Sequence, residues 1–194
     1  MIAIIDYKTG NLRSVMNALN RLNAEFVLTA DPEEIKRADR VILPGVGNAA
    51  EAMHNLEKSG LIPVILSLRK PVLGICVGMQ VMCRHSDEGD VKCLGIFDAF
   101  VKKFEPSGEL KVPHTGWNRI ANLESKLFKG LDAGVFVYYV HSYYAGLCSD
   151  TIATTRQGIL YSAALKYENF YGVQFHPEKS GETGERILKN FLEL

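Results

Sequence analysis

Apolar positions in the first half of the chain form short runs that alternate with helical repeats. Ile2 to Ile5 is apolar throughout and predicts a buried strand, whereas from Leu12 to Leu22 apolar residues recur every three or four positions. The alternation continues with apolar runs at 26–28, 41–43 and 71–75 and helical patterns starting at 32, 49, 61 and 77. Strands with no polar face, separated by helices, predict a parallel sheet covered on both faces.

After about residue 94 the pattern changes to shorter runs rich in β-forming residues. These runs lie at 96–104, 135–140, 152–155, 162–167 and 170–175, before an amphipathic helix at 184–192. They predict an antiparallel extension of the same sheet. Because the chain shows no internal repeat or linker, residues 1–194 are expected to form one α/β domain. The predicted class is a flavodoxin-like three-layer sandwich, mainly parallel, with an antiparallel β-rich extension in its second half.

Composition excludes several classes of protein. The 194 residues carry 22 Lys and Arg against 22 Asp and Glu, without the basic excess that binding to a nucleic acid backbone requires. The longest apolar runs, at 61–66 and 135–140, fall far short of the roughly 18 residues of a membrane helix. The N-terminus lacks the basic region of a signal peptide. We therefore expect a cytoplasmic protein without nucleic acid or membrane partners.

The cysteines indicate neither a disulfide framework nor a metal centre. Cys76, Cys83, Cys93 and Cys148 include no CxxC pair and no histidine at metal-ligand spacing. We therefore expect no metal, and three of the thiols are interpreted as inert. Cys76 differs because Gly74-Ile75-Cys76-Val77-Gly78 joins a predicted strand to a predicted helix, as in a nucleophile elbow with Cys in place of Ser. Such a turn leaves no room for flanking side chains and exposes the thiol at a helix N-terminus, which favours a thiolate.

A candidate base and its orienting acid follow the apolar run that ends at Phe175. In an extended segment His176 and Glu178 would project to the same face, with Pro177 stiffening the step between them. A nucleophilic thiol needs a base, and the base needs a carboxylate to orient it. The alternative is a surface histidine beside a solvated glutamate. Of the other histidines, His141 is expected to be packed or hydrogen-bonded, and no chemistry is assigned to His114.

Two segments, 74–80 (GICVGMQ) and 174–178 (QFHPE), resemble the class I glutamine amidotransferases. Further segments resemble the branch of that family that supplies ammonia for imidazole glycerol phosphate synthesis in the histidine pathway; they lie at 6–15, 43–47, 112–118, 140–143 and 176–180. The chain departs from the pattern at Lys8, where Gly is expected, and at Thr115, where Met is expected. Both departures lie in segments that the family uses at its subunit interface.

The resemblance implies a Cys76–His176–Glu178 triad that hydrolyses glutamine through a thioester, without a cofactor. The elbow offers the Val77 N–H as one oxyanion donor, and the turn at Val46 and Gly47 could offer a second, unless it is merely a tight turn. The family assigns Gln80, Glu88 and the backbone near Ser142 and Tyr143 to glutamine binding. For Glu88 the alternative is a solvated loop carboxylate.

Because no second catalytic domain fits beside these motifs within 194 residues, we expect the enzyme that uses the ammonia to be another chain. By resemblance, that enzyme is a (β/α)8-barrel cyclase, which forms imidazole glycerol phosphate and aminoimidazole carboxamide ribotide in a heterodimer with this chain. Positions expected near the interface are Asn11, Trp117, Tyr138 and Lys179, although Trp117 and Tyr138 could equally be core residues. Two alternatives stay open, namely a glutaminase serving another synthase and a catalytically silent subunit with the same fold.

Overall fold

The computed structural model describes residues 1–8, 12–106 and 111–194. Its strands are β1 (Ile2–Ile5), β2 (Phe26–Thr29), β3 (Arg40–Gly45), β4 (Val72–Cys76), β5 (His85–Ser86), β6 (Val91–Lys92), β7 (Phe100–Lys103), β8 (His114–Arg119), β9 (Phe136–His141), β10 (Tyr143–Ala145), β11 (Thr151–Gln157), β12 (Ile159–Tyr167) and β13 (Phe170–Val173). Its helices are α1 (Leu12–Arg21), α2 (Pro32–Arg37), α3 (Ala49–Lys58), α4 (Ile62–Ser67), α5 (Val77–Gln80) and α6 (Gly181–Leu192). Two 3₁₀ turns span Lys126–Phe128 and Pro177–Lys179.

A seven-stranded sheet in the order β11-β12-β13-β4-β3-β1-β2 forms the centre of the fold. The strands from β13 to β2 pair in parallel, whereas β11, β12 and β13 pair antiparallel with one another. The parallel part has the strand order of flavodoxin-like folds. Every residue of β1, β4 and β13 is buried, so the sheet is covered on both faces. The predicted fold class is confirmed, including its antiparallel extension.

Two predicted strands leave this sheet, and for them the expectation of a single continuous sheet is wrong. Strand β7 belongs to a four-stranded sheet with the order β10-β7-β5-β6, and within the described part of the chain β9 pairs only with β8, in a two-stranded ribbon. Strand β8 was not predicted, because its sequence, HTGWNR, contains no apolar run. The helix predicted from residue 77 to 83 also ends early, at Gln80, where the chain continues in turns.

The topology places three chain segments at one edge of the central sheet. Strands β3, β4 and β13 are neighbours, with Gly45 beside Cys76 and Val173 beside Ile75. Because they run in parallel, their carboxyl ends lie together. The residues at or just beyond these carboxyl ends, including Val46, Cys76 and His176, therefore meet. Among the described residues, no helix has the length and apolar character needed to cross a membrane.

Candidate active site

Cys76 sits on a strained turn between β4 and α5. Its φ of 55° and ψ of −112° lie outside the conformations that L-residues ordinarily adopt. A Cβ atom at Gly78 would overlap the carbonyl group of Leu43, and one at Gly74 would lie 2.7 Å from the carbonyl oxygen of Gly78. The two glycines thus allow β3, β4 and α5 to approach closely enough to hold the cysteine in this conformation. The nucleophile-elbow geometry expected from the sequence is present.

His176 and Glu178 form a buried pair beside this turn. The Nδ1 atom of His176 lies 2.8 Å from Oε1 of Glu178, and both side chains are 1% exposed. The surface alternative is therefore wrong. The expected extended segment is not what brings them into contact. Pro177–Lys179 is a 3₁₀ turn, which folds the glutamate back onto the imidazole. The backbone N–H of His176 is fixed by donation to the Tyr138 carbonyl, at 2.9 Å.

The electrostatics of this pair favour a charged imidazole. Burial alone would lower the pKa of His176, but the neighbouring Cys76 and Glu178 side chains outweigh it and raise that pKa to about 10. The Nε2 atom of His176 is buried and has no hydrogen-bond partner among the described residues, and the same holds for Oε2 of Glu178. The imidazole therefore keeps one N–H free on the side away from Glu178.

Every described residue predicted to touch the substrate lines one cavity of about 180 Å³. Its lining comprises Val46, Gly47, Cys76, Val77, Gln80, Glu88, Val140, His141, Ser142, Tyr143 and His176. The structure thus brings together the nucleophile, the base, both proposed oxyanion segments and the predicted glutamine-binding residues. Their individual roles remain predictions.

Gln80 is held in one orientation by two acceptors. Its Nε2 atom donates to the Tyr143 carbonyl at 3.0 Å and to Oε1 of Gln174 at 2.9 Å. The side-chain amide of Gln174 in turn lies 3.7 Å from the Cys76 sulfur. Sequence reasoning gave Gln174 no role, although its position two residues before His176 on an extended segment would have placed both on one face.

Glu88 is half-buried, contrary to the solvated alternative. Its Oε2 atom accepts a hydrogen bond from the Ala49 N–H at the start of α3, at 2.8 Å. Burial raises the pKa of Glu88, and the hydrogen bond from Ala49 opposes that rise. The carboxylate is thus anchored through one oxygen at the edge of the cavity.

Of the predicted interface residues, Trp117 and Tyr138 lie on the β8–β9 ribbon, and Lys179 lies beside them at the end of the 3₁₀ turn. Trp117 is 55% exposed, so the core alternative is wrong for this residue. Its ring meets that of half-buried Tyr138 edge-on at 6.0 Å, and the Lys179 ammonium lies 5.9 Å from the Tyr138 ring centre. Asn11 lies outside the described residues. Among the described residues, no cluster of three or more His, Cys, Asp or Glu side chains could hold a metal ion.

Comparison with protein families identifies the class. The chain matches the model of the class-I glutamine amidotransferases over residues 3–194, and it belongs to that family. More particular relatives are called imidazole glycerol phosphate synthase subunit HisH. That of Bacteroides fragilis is 58% identical over 194 residues, covering 100% of this chain and 99% of the relative. That of Idiomarina loihiensis is 44% identical, covering 100% of this chain and 97% of the relative. The resemblance drawn from the sequence is confirmed.

Solved structures support the fold. A crystal structure of a glutamine amidotransferase superposes with a TM-score of 0.76 at 17% identity, covering 100% of this chain and 98% of the other. A glutamine amidotransferase from Thermotoga maritima gives a TM-score of 0.66 at 20% identity, covering 99% and 82% of the two chains. At these identities the likeness concerns the fold alone.

Proposed function

We propose that this chain is the glutaminase subunit of an imidazole glycerol phosphate synthase. It hydrolyses glutamine to glutamate and ammonia and passes the ammonia to a cyclase subunit that acts in histidine biosynthesis. The observation that carries the proposal is the buried His176–Glu178 pair, which shares a cavity with Cys76 on its strained turn. A thiol, a charged imidazole and an orienting carboxylate are the groups that amide hydrolysis through a thioester requires.

The reaction follows from the positions of the protons. The Cys76 thiolate attacks the side-chain amide carbon of glutamine, and the carbon–nitrogen bond breaks as His176 Nε2 gives its proton to the leaving nitrogen. Ammonia departs and a thioester remains. Water then gives one proton to Nε2 while its oxygen attacks the thioester carbon, and the carbon–sulfur bond breaks. This restores the thiolate and the imidazolium, and the new carboxyl group loses its remaining proton to solvent as glutamate leaves. Glu178 stabilises the charged form of the imidazole.

The cavity residues divide into two groups around this reaction. The N–H groups of Val77 and of the Val46–Gly47 turn would stabilise the negative oxygen of the tetrahedral intermediates. The opposite end, with Gln80, Glu88 and the Ser142–Tyr143 backbone, would bind the amino-acid end of glutamine. The anionic Glu88 carboxylate suits the substrate's ammonium group.

The partner would dock on the outer face of the β8–β9 ribbon, and we propose that it is the (β/α)8-barrel cyclase. Cross-strand neighbours place Trp117 beside Tyr138 and Arg119 beside Phe136 on this face. Trp117 and Phe136, 55% and 46% exposed, present two aromatic rings on this face, and aromatic residues are enriched at protein interfaces. The ribbon is continuous with the catalytic site, because Tyr138 bonds the His176 backbone and Val140 lines the cavity.

Glutamate release, measured with and without the cyclase subunit of the same organism, tests the catalytic assignment. Cys76→Ala is expected to abolish release and covalent labelling by a glutamine-analogue electrophile, whereas the matched Cys148→Ala variant keeps both. Full activity in Cys76→Ala would overturn the assignment. If the complex forms product from added ammonia but Cys76 is not labelled, the result would favour the alternative of a catalytically silent subunit.

Affinity for the barrel tests the partner assignment. Trp117→Ala is expected to weaken binding at least tenfold, as for a central aromatic anchor. The matched control is Phe100→Ala, which removes an aromatic ring of similar exposure, 52%, from β7. Equal loss in both variants, or tight binding to a different synthase, would contradict the assignment.

A further inference from the structure

A buried chain of polar side chains runs from the β8–β9 ribbon to the wall of the glutamine cavity. His141 Nδ1 lies 2.7 Å from the Tyr143 carbonyl oxygen, and its Nε2 lies 3.2 Å from His114 Nδ1. His114 Nε2 lies 3.3 Å from the side-chain nitrogen of Asn118. Both imidazoles are buried, 4% exposed for His114 and 6% for His141. The proposed reaction uses neither of them.

The partners fix the direction in which each hydrogen bond is donated. Asn118 Oδ1 accepts from the Arg119 N–H at 2.7 Å, so its amide nitrogen faces His114 Nε2 at 3.3 Å, together with the Arg156 carbonyl at 3.1 Å and Gln157 Oε1 at 3.3 Å. Because an amide nitrogen can only donate, His114 Nε2 is the acceptor of this contact. His114 then carries its proton on Nδ1, which faces both His141 Nε2 at 3.2 Å and the Tyr161 hydroxyl at 3.1 Å; that hydroxyl lies 3.3 Å from His141 Nε2 and can pass the donation on. A carbonyl oxygen can only accept, so His141 must carry its proton on Nδ1 and donate to Tyr143. Whether His114 donates to His141 directly or through Tyr161, the hydrogen bonds point from the ribbon toward the cavity.

This ordering requires both imidazoles to be neutral. Burial lowers the pKa of His114 to about 4. Burial also lowers that of His141 to about 3, with His114 and His176 adding repulsion and the Tyr143 carbonyl opposing the shift. The other groups in contact are the Tyr161 hydroxyl, 3.1 Å from His114 Nδ1, and the rings of Phe104 and Tyr139. None of them supplies an anion at neutral pH.

The Tyr143 carbonyl, which accepts the last hydrogen bond of this series, also positions Gln80. Tyr143 O accepts from His141 Nδ1 at 2.7 Å and from Gln80 Nε2 at 3.0 Å. Because the second N–H of Gln80 goes to Gln174, the amide oxygen of Gln80 is left to accept a hydrogen bond from a ligand. The orientation of His141 thus sets both the peptide at 143 and the acceptor of Gln80.

We propose that His141 is a positioning residue for glutamine, which it holds in place through the Tyr143 carbonyl and Gln80 with His114 fixing its tautomer. The inference rests on the proposed glutaminase function. It gives His141 no part in bond making. Loss of its Nδ1–H donor would let the 142–143 segment and Gln80 shift, so substrate binding would weaken while the Cys76–His176–Glu178 chemistry continued.

Steady-state kinetics of glutamate release by the chain with its cyclase subunit test this inference. His141→Leu is expected to raise the KM for glutamine about tenfold with kcat within threefold of the unaltered protein. In His141→Asn the side-chain amide nitrogen can replace Nδ1, so KM should return to within threefold. His54→Asn, on the exposed side of α3, is the control and should change neither constant.

Nuclear magnetic resonance provides a readout independent of activity. Long-range proton–nitrogen correlation on the histidine-labelled chain at pH 7 should show His141 as the neutral Nδ1–H tautomer, its signals assigned by their absence in His141→Asn. An Nε2–H tautomer or an imidazolium would overturn the inference, as would an unchanged KM in His141→Leu. If the unaltered complex released no glutamate, the proposed function would fail instead, since the tautomer is measured separately.

Discussion

Two buried histidine pairs lie close to one cavity and differ in charge. In the first, His176 Nδ1 contacts Glu178 at 2.8 Å, and the pKa of His176 is raised to about 10. In the second, His114 and His141 contact each other at 3.2 Å, and their pKa values are lowered to about 4 and about 3. Burial opposes the charged form in both pairs. The difference comes from their neighbours.

The neighbouring side chains determine which pair can transfer protons. Cys76 and Glu178 flank His176, and together they outweigh the desolvation of its ring. The second pair faces carbonyl, amide and hydroxyl groups, so desolvation prevails there. A charged imidazole with a free Nε2–H can protonate a leaving group, whereas two neutral rings with ordered protons can only hold a geometry. Similar residues, similarly buried, are thus suited to chemistry in one place and to positioning in the other.

Replacing the charged histidine should have the largest effect. His176→Asn removes the proton donor and the cation that stabilises the thiolate, so glutamate release by the complex should fall by about 10⁴-fold. Labelling of Cys76 by the glutamine-analogue electrophile should slow as well. The control is His54→Asn, with unchanged rates. A loss below tenfold would mean that the charged pair is structural.

Removing the anion alone should make the first pair resemble the second. Glu178→Gln keeps a hydrogen-bond acceptor for Nδ1 but withdraws its charge, so the pKa of His176 should fall and activity should drop about 10²-fold. The alkaline limb of kcat/KM, expected near pH 10 in the unaltered complex, should move to lower pH. An unmoved limb in the active variant would show that Cys76 alone holds the charge of His176.

Local sequence rules account for the first pair and for the elbow. Gly74, Gly78 and the strand before them predict a strained cysteine, because close packing of this kind excludes a side chain at either glycine. The parallel order then brings the end of β13 to Cys76. The 3₁₀ turn at Pro177–Lys179 was not predicted, because a segment as short as His-Pro-Glu is compatible with both an extended backbone and a turn.

The second pair could not be predicted in the same way. His114 and His141 meet because β8 pairs with β9, and the register places them directly opposite each other. Such pairing is a long-range property that neither strand encodes alone, and β8 lacks the apolar pattern of a strand. The sequence did indicate a packed or hydrogen-bonded His141, which the structure confirms. The direction of its hydrogen bonds emerges only from its contacts.

The two pairs should shift stability in opposite directions with pH. Above pH 6.5 the neutral pair contributes its full stability. Below pH 6.5 these two histidines become protonated in the unfolded chain, whereas in the folded chain they stay neutral until about pH 4 for His114 and about pH 3 for His141. The free energy of unfolding therefore decreases as the pH is lowered. The loss by pH 4 is on the order of 3 kcal/mol for each of the two histidines. The contribution of His176 is complete below pH 6.5 and is lost as pH rises through about 10.

Denaturant unfolding at pH 4 to 10 measures these slopes. A variant with His114→Gln and His141→Asn keeps polar side chains without a titratable ring, so its stability should fall less steeply between pH 6.5 and 4. Its alkaline limb should match that of the unaltered chain. If the acid limb stays as steep, other groups cause the loss and the second pair is not held neutral by the fold.

The smallest expected effect tests which group donates to His141. Tyr161 O lies 3.3 Å from His141 Nε2, only slightly farther than His114 Nδ1 at 3.2 Å. If His114 is the donor, Tyr161→Phe removes a secondary contact, so the free energy of unfolding should fall by about 1 kcal/mol and the His141 tautomer and KM should be retained. A large rise in KM in this variant would assign the donation to Tyr161. His114 Nδ1 would then donate to the Tyr161 oxygen, which lies 3.1 Å away, and the ordered chain from Asn118 would reach His141 through the tyrosine hydroxyl.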